Sequence, residues 1–313
     1  MSLIEQAAKR LEQLRQAGVE LPEDKPELQP PPRLHPPQNT DSIESESSAS
    51  RQSDATISNV PSHPRGKRVD LNLEAIAASG LLVPHATRSQ LADEYRVIKR
   101  PLIANAMGRS ATQIANGNLI MITSALPGEG KSFTAINLAI SIAMELDNTV
   151  MLVDADVARP SILNMLGLPP APGLLDVVDK NSVDISSVLM RTNIDKLSIL
   201  PSGTQHPRAT ELLASDAMVR LLDDMSRRYS DRIIIFDSPP LLLTTEARAL
   251  ATHMGQVVMV VNAAQTTQAA VKQAVSTIDA CPVKMMVLNQ SRQTAGDGYG
   301  YGYGYGYGYG NES

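Results

Sequence analysis

"LIMITSALPGEGKSFTAINLAISIA", residues 119 to 143, decides the architecture. A short run of apolar and β-branched residues comes first, then a turn rich in Gly and Pro. A longer segment with apolar residues at helical spacing follows. The order is strand, turn, helix. Within it, Ala125 to Ser132 reads A-x-x-x-x-G-K-S, the Walker A spacing with Ala in place of the first Gly. A phosphate chain needs several backbone N–H groups pointing inward, and Gly128 and Gly130 remove the Cβ atoms that would obstruct such a turn. The helix opening at Lys131 adds the positive end of its dipole. Pro127, Gly128, Glu129, Gly130, Lys131, Ser132 and Phe133 are the expected nucleotide-binding stretch. Lys131 is placed to reach the β and γ phosphates of ATP, and the Ser132 hydroxyl to ligate Mg²⁺.

Working outward, the runs "VMLVDAD", "LSILPSG", "RIIIFDSPP", "VVMVVN" and "MMVLNQ" alternate with helix-length segments. Short β-branched runs separated by helices predict βαβ units around a buried parallel sheet. The expected fold is a three-layer α/β domain of the P-loop NTPase type with a mostly parallel central sheet. Two of these strands end in carboxylates, where an open parallel sheet places its ligand crevice. They deliver Asp154 and Asp156, and Asp237. Residues i and i+2 of a strand share a face, so Asp154 and Asp156 are expected to point at one metal–nucleotide site with Asp237. Arg159 is open between a phosphate contact, a neighbouring subunit and a surface ion pair. Asn289, at the tip of "MMVLNQ", is either a reader of the base or a turn residue.

The flanks differ in composition. Leu3, Ile4, Ala7, Ala8, Leu11 and Leu14 in "SLIEQAAKRLEQLRQAG" predict an amphipathic helix over 1–19. It serves as a docking or self-association element, or packs back on the body. Residues 20–68 are rich in Pro and Ser and poor in large apolar residues, the composition of a disordered tether. The folded domain is expected over 69–290, with Thr87 and Gln90 as a capping box for a helix bearing Leu91, Tyr95, Ile98 and Leu102 on one face. Residues 291–313 form a tail in which Gly alternates with Tyr299, Tyr301, Tyr303, Tyr305, Tyr307 and Tyr309. A net charge of −5 argues against nucleic acid as a partner. A single Cys281, no cleavable leader and no long apolar run suggest a cytoplasmic protein that does not itself cross a bilayer.

"SALPGEGKS", "VMLVDADVARP", "LSILPSGTQHPRATELLAS" and "RIIIFDSPPLLLTTEARALA", followed by the tyrosine-rich tail, resemble the bacterial tyrosine kinases that accompany exopolysaccharide assembly. The chain is most similar to the exosortase-associated tyrosine autokinase group. The resemblance implies ATP and Mg²⁺ as cofactors, with Lys131 and Ser132 on phosphate and metal, Asp154 and Asp156 in the second aspartate motif and Asp237 as the Walker B acid. Asp154 is the residue expected to assist deprotonation of the incoming tyrosine. The six tail tyrosines are the implied phosphoacceptors, used between subunits. Asp93, Arg96 and Lys99 are the nearest match to the E-x-x-R-x-x-R motif of ring assembly, altered at two of three positions. Ala158 stands where a second basic residue is common. Implied partners are a membrane-spanning polysaccharide chain-length protein that activates the kinase and recruits it to the inner face of the plasma membrane, further copies in a ring, and a tyrosine phosphatase that reverses the reaction.

The tail makes its own chemical case. Residues 295 to 312 contain no Ser or Thr, so phenols are the only side-chain hydroxyls available there. Glycine on both sides lets each phenol enter a narrow cleft. Each phosphotyrosine adds about −1.5 to −2 charge, so a fully modified tail resists reinsertion beside ATP and three aspartates. Two rival readings remain: a self-associating Gly-Tyr segment, and a partitioning-type ATPase switch. The second class carries a signature Lys early in its loop, where this chain has Leu126 and Pro127.

Overall fold

A computed structural model of the chain describes residues 66–85, 89–179, 183–229 and 231–291. The N-terminal helix, the tether, Thr87 and the six tail tyrosines lie outside these residues. Helices α1 (Leu73–Ala78) and α2 (Gln90–Ala106) precede β1 (Leu119–Ser124), α3 (Lys131–Ala143) and β2 (Thr149–Asp154). Three short helices follow, α4 (Ile162–Met165), α5 (Leu174–Asp179) and α6 (Ile185–Val188), then β3 (Met190–Arg191) and β4 (Leu197–Leu200). The order continues with α7 (Ala209–Leu213), α8 (Asp216–Arg228), β5 (Arg232–Asp237), α9 (Thr245–Ala251), β6 (Gln256–Asn262), α10 (Gln268–Ser276) and β7 (Val283–Asn289).

The strands form one sheet in the order β3-β4-β2-β5-β1-β6-β7. Every pairing is parallel except β3 with β4. The period-2 alternation of a strand explains why its central members read as unbroken apolar runs. Leu119, Met121, Ile234 and Phe236 pack on one face with α5, α8 and α9. Ile120, Ile122, Ile233 and Ile235 pack on the other with α1, α2 and α3. Both faces are covered, giving the three layers expected. β7 is an edge strand whose residues alternate between half-buried and exposed, leaving Met286 and Leu288 in solvent.

The start of α2 departs from the expected capping box. Ser89 is the cap, its Oγ accepting the N–H of Ala92, one turn into the helix. On the same helix Lys99 is buried, and its ammonium donates to the Ser141 carbonyl at 2.6 Å and pairs with Glu145 at 2.7 Å. Lys99, the third position of the suspected ring motif, ties α2 to the end of α3, because a buried ammonium requires partners inside the fold. Asp93 and Arg96 are exposed and pair with each other along the helix.

Candidate active site

β1 ends at Ser124 between β5 and β6, and the loop that follows opens at the carboxyl end of the sheet. This is the crevice in which an α/β sheet gathers its ligand-binding loops. Gly128 and Gly130 both carry positive φ, +79° and +91°. At Gly130 the requirement is also spatial, since a Cβ there would meet Asn289 Nδ2 at 2.1 Å. The Gly130 carbonyl then accepts the N–H of Thr134, and α3 begins.

Around the loop lies a cavity of about 620 Å³. Pro127, Gly128, Gly130, Lys131, Ser132 and Phe133 line it, together with Asp156 and Arg159. Ala158, Pro239, Pro240 and Thr244 complete its walls. The Lys131 ammonium sits 2.7 Å from Asp156 Oδ2 and 4.0 Å from Asp237 Oδ1. Burial works against its charge, but Asp237, Asp156 and Asp154 outweigh that and raise its pKa above the ordinary lysine value. Lys131 is thus a fixed cation at the bottom of a cavity lined by backbone.

The carboxylates do not share one orientation. β2 ends at Asp154, so the strand alternation does not extend to Asp156. Asp156 instead turns toward the loop, taking Lys131 on one oxygen and the Arg159 N–H on the other. Asp154 lies across from Asp237 in the β2–β5 register. Its Oδ2 accepts the N–H groups of Ser161 and Ile162, both at 3.1 Å, while its buried Oδ1 has no hydrogen-bond partner. Burial, then the charge of Asp237, push the Asp154 pKa up to about 7. Asp237 is fully buried with no hydrogen bond to either oxygen, and burial raises its pKa to about 6 against the pull of Lys131.

The Asp237 and Asp156 carboxylates and the Ser132 hydroxyl make an all-oxygen donor set that suits a hard divalent cation. Among the described residues no group of three or more His, Cys, Asp or Glu could hold a metal ion. An ion shared with phosphate oxygens and water needs no such cage.

The side chains of Glu129 and Asn289 make their contacts inside the fold. Glu129 is buried, and its carboxylate faces away from the cavity. It accepts the N–H of Leu126 at 2.5 Å, the N–H of Asn262 at 3.3 Å and the hydroxyl of Thr266. Asn289 directs its amide at the Glu129 carbonyl, 2.9 Å away, rather than into the cavity. Gln290 adds a bond to the Gly128 carbonyl at 3.3 Å and takes Asn262 Nδ2 at 2.5 Å. The outer side of the phosphate loop is thereby held to the ends of β6 and β7, leaving its N–H groups for a ligand. Nothing in local sequence spacing links Glu129 to residues more than a hundred positions away.

A family described as AAA domain matches residues 117–290. The chain is 30% identical over 222 residues to the tyrosine-protein kinase YwqD of Bacillus subtilis (strain 168), covering 71% of this chain and 86% of that one. It is 31% identical over 177 residues to the tyrosine-protein kinase wzc of Salmonella typhimurium, covering 56% of this chain and 24% of that much longer one. Among solved structures, the kinase domain of the Escherichia coli tyrosine kinase ETK superposes with a TM-score of 0.57 at 26% identity. That match covers 67% of this chain and 80% of the other.

Proposed function

Because the chain belongs to the bacterial tyrosine-protein kinase family and is a protein-tyrosine kinase, we propose that it is an autokinase whose acceptors are Tyr299, Tyr301, Tyr303, Tyr305, Tyr307 and Tyr309. The observation that carries this reading is where the tail begins. Asn289 and Gln290 hydrogen-bond the phosphate loop itself, and the tyrosine run starts eight residues beyond Ser291. A span of eight residues reaches at most roughly 26 Å when extended. Acceptors are therefore tethered close to a phosphate site, and in an assembly of copies close to a neighbour's as well, which raises their local concentration there.

In this mechanism the loop N–H groups and Lys131 bind the phosphates of ATP. Ser132, Asp156 and Asp237 would hold Mg²⁺, which when bound would supply charge neutralisation for the transferring phosphoryl group. Asp154, with one oxygen unpaired, takes the phenolic proton. The phenol oxygen bonds to the γ phosphorus as the bond from that phosphorus to the β–γ bridging oxygen breaks, and the electron pair leaves with ADP. Phosphorus and charge balance without any further reactant.

Transfer passes between subunits, and the modified tail, carrying roughly −9 to −12 of added charge, leaves the assembly. The resemblance noted from sequence supplies the setting: regulation of exopolysaccharide synthesis or export, with a membrane-spanning chain-length protein as activator and a tyrosine phosphatase as the reversing enzyme. Among the described residues no helix is long and apolar enough to cross a membrane, so the activator provides the membrane address. The test is incubation of the purified chain with Mg-ATP, with and without candidate activator, followed by phosphopeptide mapping. Phosphate confined to the tail tyrosines and abolished by Lys131→Met supports the reading. Release of free phosphate alone, with the tail unmarked, reduces the protein to a nucleotide-driven switch.

A further inference from the structure

β7 closes one side of the sheet and, among the described residues, pairs only with β6. Its outer edge therefore presents unused backbone N–H and C=O groups, a template for one more strand. Successive side chains point to opposite faces. Met285 and Val287 pack with the core on the α2 and α3 side, while Met286 and Leu288 stand exposed on the other. Along this edge runs a groove of about 540 Å³ between β7 and α2. Leu91 and the exposed Val97 belong to its helical wall, Met286 and Leu288 to its strand wall, and Ser291 also lines it. Edge strands are commonly blunted by charge, by Pro or by a covering segment. The sole charged residue of β7 is Lys284, near the end remote from Ser291 and paired with Asp279 at 3.8 Å.

The chain carries a segment of matching pattern directly beyond the groove. Residues 298–310 alternate Gly and Tyr with no charge and no Pro. Two is the period of a strand, so an extended run of this kind sends every phenol to one face and every glycine to the other. Residues 290–297, with Gly296 among them, are more than the roughly two to five that a hairpin connection requires. The seven residues of β7 span about 23 Å, and the run is long enough to cover them all.

We propose that the unmodified Gly-Tyr run docks antiparallel on the outer edge of β7 as an added strand, its phenols over Met286 and Leu288 and its glycines toward α2. Tyrosine suits strands and pairs well with apolar neighbours across them. Glycine on the α2 side lets the added backbone lie close to Leu91 and Val97. Glycine also weakens a strand, but the covalent tether makes the docking intramolecular, so a weak pairing is enough to populate it. No single register is needed, because a slip of two residues restores the same faces. Running antiparallel, the docked run leads away from the phosphate loop, to which Asn289 and Gln290 are bonded. The docking itself does not depend on the autokinase reading; on that reading, it withholds the phenols from the nucleotide cavity. A phosphate on a docked phenol brings about −1.5 to −2 charge against an apolar face and releases the run.

The experiment uses the full-length chain, treated with a tyrosine phosphatase and free of nucleotide, beside a chain ending at Asp297. Amide hydrogen exchange within residues 283–289 should be at least fivefold slower in the full-length chain at amides that do not bond β6. Equal exchange in the two chains overturns the docked strand. A second measurement replaces the exposed Met286 by the photo-crosslinker p-benzoylphenylalanine, and cross-links within one chain should map to residues 298–310. Cross-links that join two chains, or that fall on residues 1–19 instead of the tail, overturn it as well. A chain that shows the docked strand but labels no tyrosine with Mg-ATP loses the autokinase reading alone. A chain that labels its tail but shows neither protection nor the cross-link loses the docked strand alone.

Discussion

Replacing Glu129 by Gln probes how the phosphate loop is held. The carboxylate offers only acceptors, and three donors converge on it: the Leu126 N–H at 2.5 Å, the Asn262 N–H at 3.3 Å and the Thr266 hydroxyl. A glutamine of nearly the same shape has one acceptor oxygen and one NH₂. If the oxygen stays with Asn262 and Thr266, the NH₂ opposes the Leu126 N–H; if it turns, the NH₂ opposes the other two. At least one charge-assisted hydrogen bond is lost, worth about 1.5 to 3 kcal/mol, and a donor is left facing a donor. The unfolding free energy should fall by about 2 kcal/mol in a urea titration. To the extent that the loop relaxes away from its phosphate-ready shape, affinity for an ATP analogue should fall too, up to roughly 30-fold for the full 2 kcal/mol. Thr266→Val, which removes only one donor and adds none in conflict, should cost less on both measures. A Glu129→Gln protein indistinguishable from wild type in urea midpoint and nucleotide affinity refutes the account of the loop.

Other consequences are as direct. Lys131→Met should abolish tyrosine phosphorylation while leaving the far-ultraviolet circular dichroism spectrum unchanged, because the ammonium lies in the cavity and not in the core. Gly130→Ala should weaken nucleotide binding more than tenfold in the same titration, since its φ of +91° and the 2.1 Å approach to Asn289 both exclude a Cβ. Lys99→Met should lower stability by about 2 kcal/mol through loss of its bonds to Ser141 and Glu145, without changing the oligomeric state seen by light scattering. In nucleotide-free protein, Asp237 and Asp154 have folded-state pKa values raised to about 6 and about 7. The native state therefore binds more protons than the unfolded chain between the ordinary carboxylate range, near pH 4, and about pH 7. Their contribution to stability falls as pH rises through that window. Asp154→Asn should flatten the fall between about pH 6 and 7, read as the difference from wild type in urea midpoints.

How much was legible in sequence depends on how local each determinant is. The strands β1, β2, β5 and β6 could be read because a strand covered on both faces must be apolar throughout, and the phosphate loop because its turn, cation and hydroxyl lie within eight residues. Asp154, Asp156 and Asp237 could be placed at the carboxyl end of the sheet because they close apolar strand runs. The short helices between β2 and β5 and the two-residue β3 could not be read, since elements of four to six residues carry too little periodicity to distinguish them from loop. Side-chain partners set at a distance were not legible. Glu129 was counted for its place in the motif, but its side chain answers to donors near 262 and 266. Asn289 was considered for the base, but its amide is taken by a carbonyl 160 positions earlier. Lys99 matched a charge pattern on its own helix, while its partners stand on the next one. Asp154 and Asp156 looked equivalent under strand alternation until the strand ended between them.

Because Asn289 and Gln290, just ahead of the tail, bond the phosphate loop, chain length grades the six tyrosines by radius. Tyr299 can travel at most roughly 26 Å from Ser291, and Tyr309, eighteen residues out, roughly 60 Å. By chain length alone the inner phenols are limited to the home molecule and whatever is pressed against it, whereas the outer ones could span to a second copy. On the proposed autokinase reading this repetitive stretch would work as a ruler, the order of phosphorylation along it reporting how far away the serving site lies.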